Sequence, residues 1–449
     1  MLKKSFFQKL TPAQIIVFYY LLAVSVSTFL LSLPIALKPG VELSLIDAFF
    51  TAASAVSVTG LTVINISETF STTGNFILMF VLQFGGVGIM TLGTFMWLLF
   101  KKKIGFKERR LIMIDQNQIS LSGIVALLKQ VLILIVLIEL FGALILGIYL
   151  LNYFPSVSEA FLHGLFMSVS ATTNGGFDIT GRSLQPYSHD YFIQFINIIL
   201  IILGAIGFPV LIEVKNFLFR KNTEMHFRFS LFTKLTTVTF AILVVFGTVM
   251  ILVLEFNNYF AQKSWHEALF YALFQSVSTR SGGLSTMDVS QFSEPTLLLM
   301  SGLMFIGASP SSVGGGIRTT TFAINILFII QFARGHRTIK MFGREVHDED
   351  ITKANVVTLI AFILTSVSIF LLTITESFSL TEIMFEVCSA FGTTGLSIGI
   401  TPEFSSFGKI LLIVLMFIGR VGVISFLLMI GRKGKKENFH YPKERVIIG

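Results

Sequence analysis

Four stretches of this 449-residue chain end on glycine after mostly small or hydroxyl-bearing residues: Ser57-Val58-Thr59-Gly60, Thr173-Asn174-Gly175-Gly176, Arg280-Ser281-Gly282-Gly283 and Gly392-Thr393-Thr394-Gly395. The chemistry such stretches offer lies in the backbone. Glycine takes positive φ without a side-chain penalty, and a ring of backbone carbonyls replaces the hydration shell of an alkali cation. A glycine doublet leaves the register of the second and third stretches open by one residue. Gly176 and Gly283 are chosen because Phe177 and Leu284 follow them, as Leu61 and Leu396 follow Gly60 and Gly395. The competing reading is that these glycines only pack helices, as in GxxxG pairs.

A fifth stretch, MFIGASPSSVGGGIRTTT (304–321), lies between two apolar flanks. Pro310 removes an amide donor and clashes with the preceding turn. Gly314, Gly315 and Gly316 each disfavour helix by about 1 kcal/mol relative to Ala. The freed backbone groups fall to Ser309, Ser311, Ser312 or water. Broken backbone at membrane depth is tolerated only where it lines a cavity. Gly307 follows Gly283 by 24 residues, which puts the break on the cytoplasmic side of the glycine stretches. A plug there obstructs ions and its movement admits them; a kinked packing helix is the alternative. Arg420, inside KILLIVLMFIGRVGVISFLLMI, costs about 2.5–3.5 kcal/mol at bilayer centre, so it faces protein or water. Either it belongs to the gate or it pairs with a buried acid such as Glu139 or Glu213. Arg318 is read as snorkelling to the cytoplasmic face.

The elements that must position these residues are membrane spans. Charged residues are 13% of the chain, against about 25% in an ordinary soluble domain. Apolar segments fall at 12–37, 76–100, 121–151, 192–219, 231–256, 296–332, 354–375 and 408–431, and about 20 such residues cross the hydrocarbon. No cleavable signal is expected, because MLKKSFFQKL leads into a span too long for one. Of the 33 Lys and Arg, 25 lie in the N-terminus, 101–120, 215–234, 333–353 and 431–449, and 5 in the connectors 38–75, 152–191, 257–295 and 376–409. The positive-inside rule therefore places both termini and the basic loops in the cytoplasm. The net charge of +8 is thus a matter of topology and calls for no nucleic acid. The single cysteine, Cys388, excludes an intrachain disulfide.

The outside connectors repeat. Ser44-x-x-Asp47, Ser156-x-x-Glu159, Ser264-x-x-Glu267 and Ser379-x-x-Glu382 each resemble a capping box and mark a helix start. Phe50, Phe166, Phe274 and Phe385 follow, each with a serine four residues on and then the glycine, the third copy being one residue shorter. The acid-to-Phe spacing predicts that the middle two helices gain about one turn. Between capped serine and glycine there is room for about three or four turns, enough to reach halfway through the bilayer. The repeats are 1–110, 111–225, 226–345 and 346–449, each a span, a short helix, a glycine loop and a second span. The fold expected is all-α and membrane-integral. Eight transmembrane helices share one repeat orientation, so that four re-entrant loops close around one pseudo-fourfold axis.

QFGGVGIMTLG (83–93), GAIGFPVLIE (204–213), MFIGASPSSVGGGIRTTT and MFIGRVGVISF (416–426) stand one in each second span. With the four glycine loops they make the chain resemble the potassium-translocating subunit of the Ktr/Trk/HKT superfamily, nearest its bacterial Ktr branch. The resemblance implies a homodimer, a cytoplasmic ring of nucleotide-binding regulatory subunits, and an intramembrane loop as gate. It makes K+ the transported ion and Na+ a candidate activator, with any nucleotide held by the partner subunit. Gly at all four filter positions resembles the potassium-preferring members. Asn174-Gly175-Gly176-Phe177 and Ser281-Gly282-Gly283-Leu284 depart from the commoner N-A-G-F and T-A-G-F forms, a change that adds no bulk.

The function expected is potassium uptake across the cell membrane through a gated pore. An ion-coupled secondary cation symporter is the alternative; same-orientation repeats and the lack of a paired Asp/Glu relay argue against it. No G-x-x-x-x-G-K-[ST] and no H-E-x-x-H occurs, and no cytoplasmic loop is long enough for a catalytic domain. An enzyme is therefore not expected.

Overall fold

The computed structural model describes residues 12–88, 124–219 and 227–430, with five isolated positions outside them. The later part (89–100) of the apolar segment 76–100, nearly all of the basic stretch 101–120 and nearly all of the basic tail 431–449 lie outside the described residues.

In chain order the first set of helices is α1 (Pro12–Leu31), α2 (Leu45–Ser57) and α3 (Thr72–Val87). The second is α4 (Ile124–Leu150), α5 (Val157–Thr172), α6 (Tyr191–Ala205) and α7 (Phe208–Leu218). The third is α8 (Leu231–Glu255), α9 (Trp265–Ser278), α10 (Glu294–Ile306) and α11 (Thr319–Ala333). The fourth is α12 (Asp348–Thr375), α13 (Leu380–Gly392), α14 (Ser406–Val421) and α15 (Val423–Ile430). Strands β1 (Lys340–Met341) and β2 (Arg344–Glu345) pair antiparallel before α12. Phe342 and Gly343 between them both take positive φ, as a tight hairpin turn requires.

Among the described residues, α1, α4, α8 and α12 are each long and apolar enough to cross a membrane, and α6 with α7 makes a fifth if the bent pair is one span. These first spans expose large apolar side chains such as Phe29, Phe141, Val245 and Phe362, which suits lipid as solvent. Their hydroxyls bond within the helix, Thr28 to Val24 O, Thr248 to Val244 O and Thr365 to Ala361 O, at 2.8–2.9 Å.

Among the described residues, the helix of each second apolar segment ends at or beside a glycine. α3 gives way at Gly88 (φ 92), α10 at Gly307 (φ 71) and α14 at Gly422 (φ 91). α6 yields at Gly207 (φ 103) and turns by 105° into α7. A glycine in a positive-φ conformation ends a helix because only it carries no Cβ cost there. A hydropathy window averages over such a residue.

All four short helices start immediately after the expected serine. The full capping box closes only at Ser379 and Glu382; Ser44 accepts from Asp47 N, while Ser156 and Ser264 make no side-chain cap bond. The predicted extra turn is present in α5, which has 16 residues against 13 in α2 and α13; α9 has 14, because it stops at Ser278 itself.

Packing follows a cycle. α2 lies against α14, α5 against α3, α9 against α6 and α13 against α10. Each short helix thus touches the segment that closes the preceding set, and the fourth set closes onto the first.

Candidate functional site

Each short helix ends in a loop of one repeated geometry. Val58, Asn174, Ser281 and Thr393 have φ of 56°, 54°, 79° and 46°. Two residues later Gly60, Gly176, Gly283 and Gly395 have φ of 93°, 67°, 70° and 87°. The positive φ falls on the second glycine of each doublet, the register chosen from the following Phe or Leu. A left-handed non-glycine residue is strained by about 1–3 kcal/mol and persists only where its surroundings enforce it. Val58, being β-branched, is the most costly of the four.

The enforcement comes from the repeat serine. The carbonyls of Ser54, Ser170, Ser278 and Ser389 accept from Thr59, Gly175, Gly282 and Thr394 N at 2.7–2.9 Å. In the first and fourth loops the serine hydroxyl also accepts from Gly60 N and Gly395 N, both at 3.1 Å. In the second and third it donates to the carbonyls of Phe177 at 2.6 Å and Leu284 at 2.5 Å.

The four glycines meet. A Cβ built on Gly60 would lie 2.6 Å from Gly175 O and 2.9 Å from Gly176 Cα. One on Gly176 would lie 2.9 Å from Gly283 Cα, and one on Gly283 2.5 Å from Thr394 O. One on Gly395 would strike Thr59 O and lie 2.9 Å from Gly60 Cα. The contacts run first to second to third to fourth to first. Ser281 Oγ adds a direct bond to Thr393 O, 2.5 Å. Ser57, Thr59, Thr173, Asn174, Thr394 and Arg280 are buried beside them. Arg280 donates through Nη2 to Leu303 O, so its side chain secures the loop to the end of α10.

The stretch 307–318 is non-helical, as its Pro and Gly content requires, and it is buried apart from half-exposed Pro310 and Arg318. Gly307, Ser311, Gly316 and Arg318 all have positive φ. Ala308 N bonds to Gly315 O (3.1 Å), Ser309 N to Ala205 O (3.0 Å), Val313 N to Gly204 O (3.3 Å) and Phe208 N to Ser311 O (2.9 Å). Ser312 Oγ donates to Ser309 O at 2.6 Å. The loop therefore packs into the break between α6 and α7. Its upper side abuts two of the glycine loops: a Cβ on Gly314 would lie 2.5 Å from Ser281 Oγ, and one on Gly315 2.6 Å from Thr393 Oγ1.

Both arginines join this loop. Arg318 does not snorkel; its Nη1 turns back to the carbonyls of Gly314 and Ser309, which the left-handed turn at Gly316 leaves exposed to it. Arg420 donates to Val313 O and Ser312 O on the loop and to Gly85 O and Gly86 O at the end of α3. Of the acids considered as its partner, Glu139 accepts from Gln83 Nε2 (2.6 Å) and Glu213 from Ser230 N (3.1 Å). Carbonyls left over at a helix end carry partial negative charge, so a guanidinium is a natural bridge between two broken ends.

Residues 4–440 match the family described as TrkH, cation transport protein. The chain is 62% identical over 442 residues to Ktr system potassium uptake protein D of Bacillus subtilis, covering 98% of each. It is 36% identical over 444 residues to Ktr system potassium uptake protein B of the same organism, covering 98% of this chain and 97% of that one. Its fold is similar to the crystal structure of the potassium transporter TrkH from Vibrio parahaemolyticus, with a TM-score of 0.73 at 19% identity over 94% of this chain and 86% of that chain. The motifs and these matches agree: this multi-pass membrane chain belongs to the TrkH family of cation transport proteins.

Proposed function

We propose that this protein is a potassium uptake pore with eight spans in four repeats (1–110, 111–225, 226–345 and 346–449) about a pseudo-fourfold axis. The observation that carries the reading is the closed cycle of contacts among Gly60, Gly176, Gly283 and Gly395. Four re-entrant loops that meet at one place offer their carbonyls to a dehydrated cation. Strained left-handed residues kept at four corresponding positions point to a conformation held for function. Potassium as the cargo draws on the printed names of the relatives and on glycine at every one of the four positions.

The loop 307–318 acts as gate. It lies against the third and fourth glycine loops, and Arg318 and Arg420 latch it through carbonyls. Displacing it opens the path; the latch restores the closed state. Both termini face the cytoplasm, where the basic loops meet a nucleotide-binding regulatory ring, and the chain works as a homodimer. The protein carries out no covalent chemistry.

Rubidium uptake into proteoliposomes, with and without competing sodium, tests the proposal. Saturable rubidium flux that sodium competes for poorly is expected, together with unitary currents in planar bilayers. Equal competition by sodium would remove the selectivity claim, and turnover limited to carrier rates would favour ion-coupled symport.

A further inference from the structure

Glu386 lies in α13 one residue after Phe385 and is fully buried. Of the acids in the four short helices it alone is buried; Asp47, Glu267 and Glu382 are partly exposed and Glu159 is exposed. Three donors converge on its carboxyl: Ser397 Oγ at 2.6 Å, Ile398 N at 3.1 Å and Thr401 Oγ1 at 2.8 Å. All three belong to the segment that leaves Gly395 for the outer surface. The Ile398 amide N–H can only donate, so one carboxyl oxygen of Glu386 serves as its acceptor.

Gln275 holds the same place in α9, one residue after Phe274. Its Nε2 donates to Ser285 Oγ at 2.7 Å. Ser285 follows Gly283 by two residues, as Ser397 follows Gly395. In α2 and α5 the place is taken by Thr51 and Met167; Thr51 Oγ1 makes no hydrogen bond and Met167 Sδ accepts instead from Asn197 Nδ2. Two of four loops therefore carry a second strap to their short helix beyond the repeat serine, one ending in an acid and one in an amide.

Resting on the pore reading above, we propose that Glu386 is a positioning and specificity-determining residue. Its carboxylate fixes the outer limb of the fourth loop, and it places a negative charge behind the filter that raises cation affinity. In a poorly solvated interior such a charge acts over several ångströms. Gln275 supplies the same strap to the third loop without charge.

Rubidium uptake by the full-length chain in proteoliposomes separates the two roles. Glu386→Gln should raise the KM for rubidium about tenfold while the maximal rate stays within about threefold. Gln275→Glu should lower the KM, because it adds a second charge on the adjacent loop; it also serves as the test if Glu386→Gln does not fold. The double variant, which moves the charge from the fourth loop to the third, should return the KM to within about threefold of the parent. A local strap alone could not be rescued in this way. An unchanged KM in Glu386→Gln, an unchanged KM in Gln275→Glu, or a double variant no better than Glu386→Gln overturns the proposal. If the parent itself moves no rubidium, the pore reading fails and this inference with it. A transporting parent with unaffected variants sinks this inference alone.

Discussion

Ser281 Oγ donates to the Thr393 carbonyl across 112 residues of sequence, at 2.5 Å. The bond joins the third glycine loop to the fourth at the level where Gly314 and Gly315 of the intervening loop also touch both. Ser281 and Thr393 are themselves left-handed. Removing the hydroxyl costs about 0.5–1.5 kcal/mol at a point where two strained loops and the 307–318 loop meet. Ser281→Ala is expected to lower the rubidium-over-sodium preference severalfold, read from competition in uptake. An unchanged preference would make the bond incidental to selection.

Gly60 and Gly395 leave no room for a side chain. With φ of 93° and 87°, and neighbouring backbone where a Cβ would go, even alanine must displace the adjacent loop. Gly60→Ala or Gly395→Ala should weaken potassium preference by about tenfold or abolish flux. Normal relative uptake of potassium and sodium would take these loops out of the filter.

Arg420 spans from the 307–318 loop to the end of α3. Charge-assisted bonds of this kind contribute about 1.5–3 kcal/mol each, enough to move an open–closed equilibrium by about tenfold. Arg420→Ala should raise basal flux accordingly, and deletion of Ser311 to Gly315 should raise it further. Basal flux measured without any regulatory subunit decides; if neither variant leaks, the loop is packing and not a gate.

Glu255 makes a prediction independent of transport. At the C-terminal end of α8 it accepts from Ser293 N (2.9 Å), Ser293 Oγ (2.6 Å), Thr296 Oγ1 (2.5 Å) and Tyr259 N (3.3 Å). Truncation strands the buried Thr296 hydroxyl, at about 1–3 kcal/mol, and removes the acceptor of the part-buried Ser293 and Tyr259 donors. Glu255→Ala should lower the Tm of the detergent-solubilised protein measurably, and Glu255→Gln should lower it less. Equal Tm values for all three proteins would show that the cluster holds no stability.

How far the sequence discloses this arrangement depends on the range of the interactions. Helix starts after Ser44, Ser156, Ser264 and Ser379 are local events, settled within one turn, and the four copies reinforce one another. The break at 307–318 was legible because Pro310 and three successive glycines leave helix no alternative. Gly88, Gly207 and Gly422 each follow another glycine (Gly86, Gly204 and Gly419) by two or three residues, and only the backbone reveals that the later one is left-handed. Arg318 illustrates a further limit: the same residue at a helix end snorkels when the chain runs on straight, and folds inward when the turn before it exposes carbonyls. The straps from Glu386 and Gln275 carried a faint signal, since each follows the repeat phenylalanine. Their partners become neighbours only after the loop reverses, so spacing alone does not pair them.

Because one polypeptide winds through all four quadrants of the glycine cycle, a single codon change alters one quadrant and leaves three intact. A ring of identical subunits has no such freedom, since every substitution there appears in each copy at once. The different residues at one corresponding place, Thr51, Met167, Gln275 and Glu386, are what that freedom permits: each quadrant carries its own chemistry there.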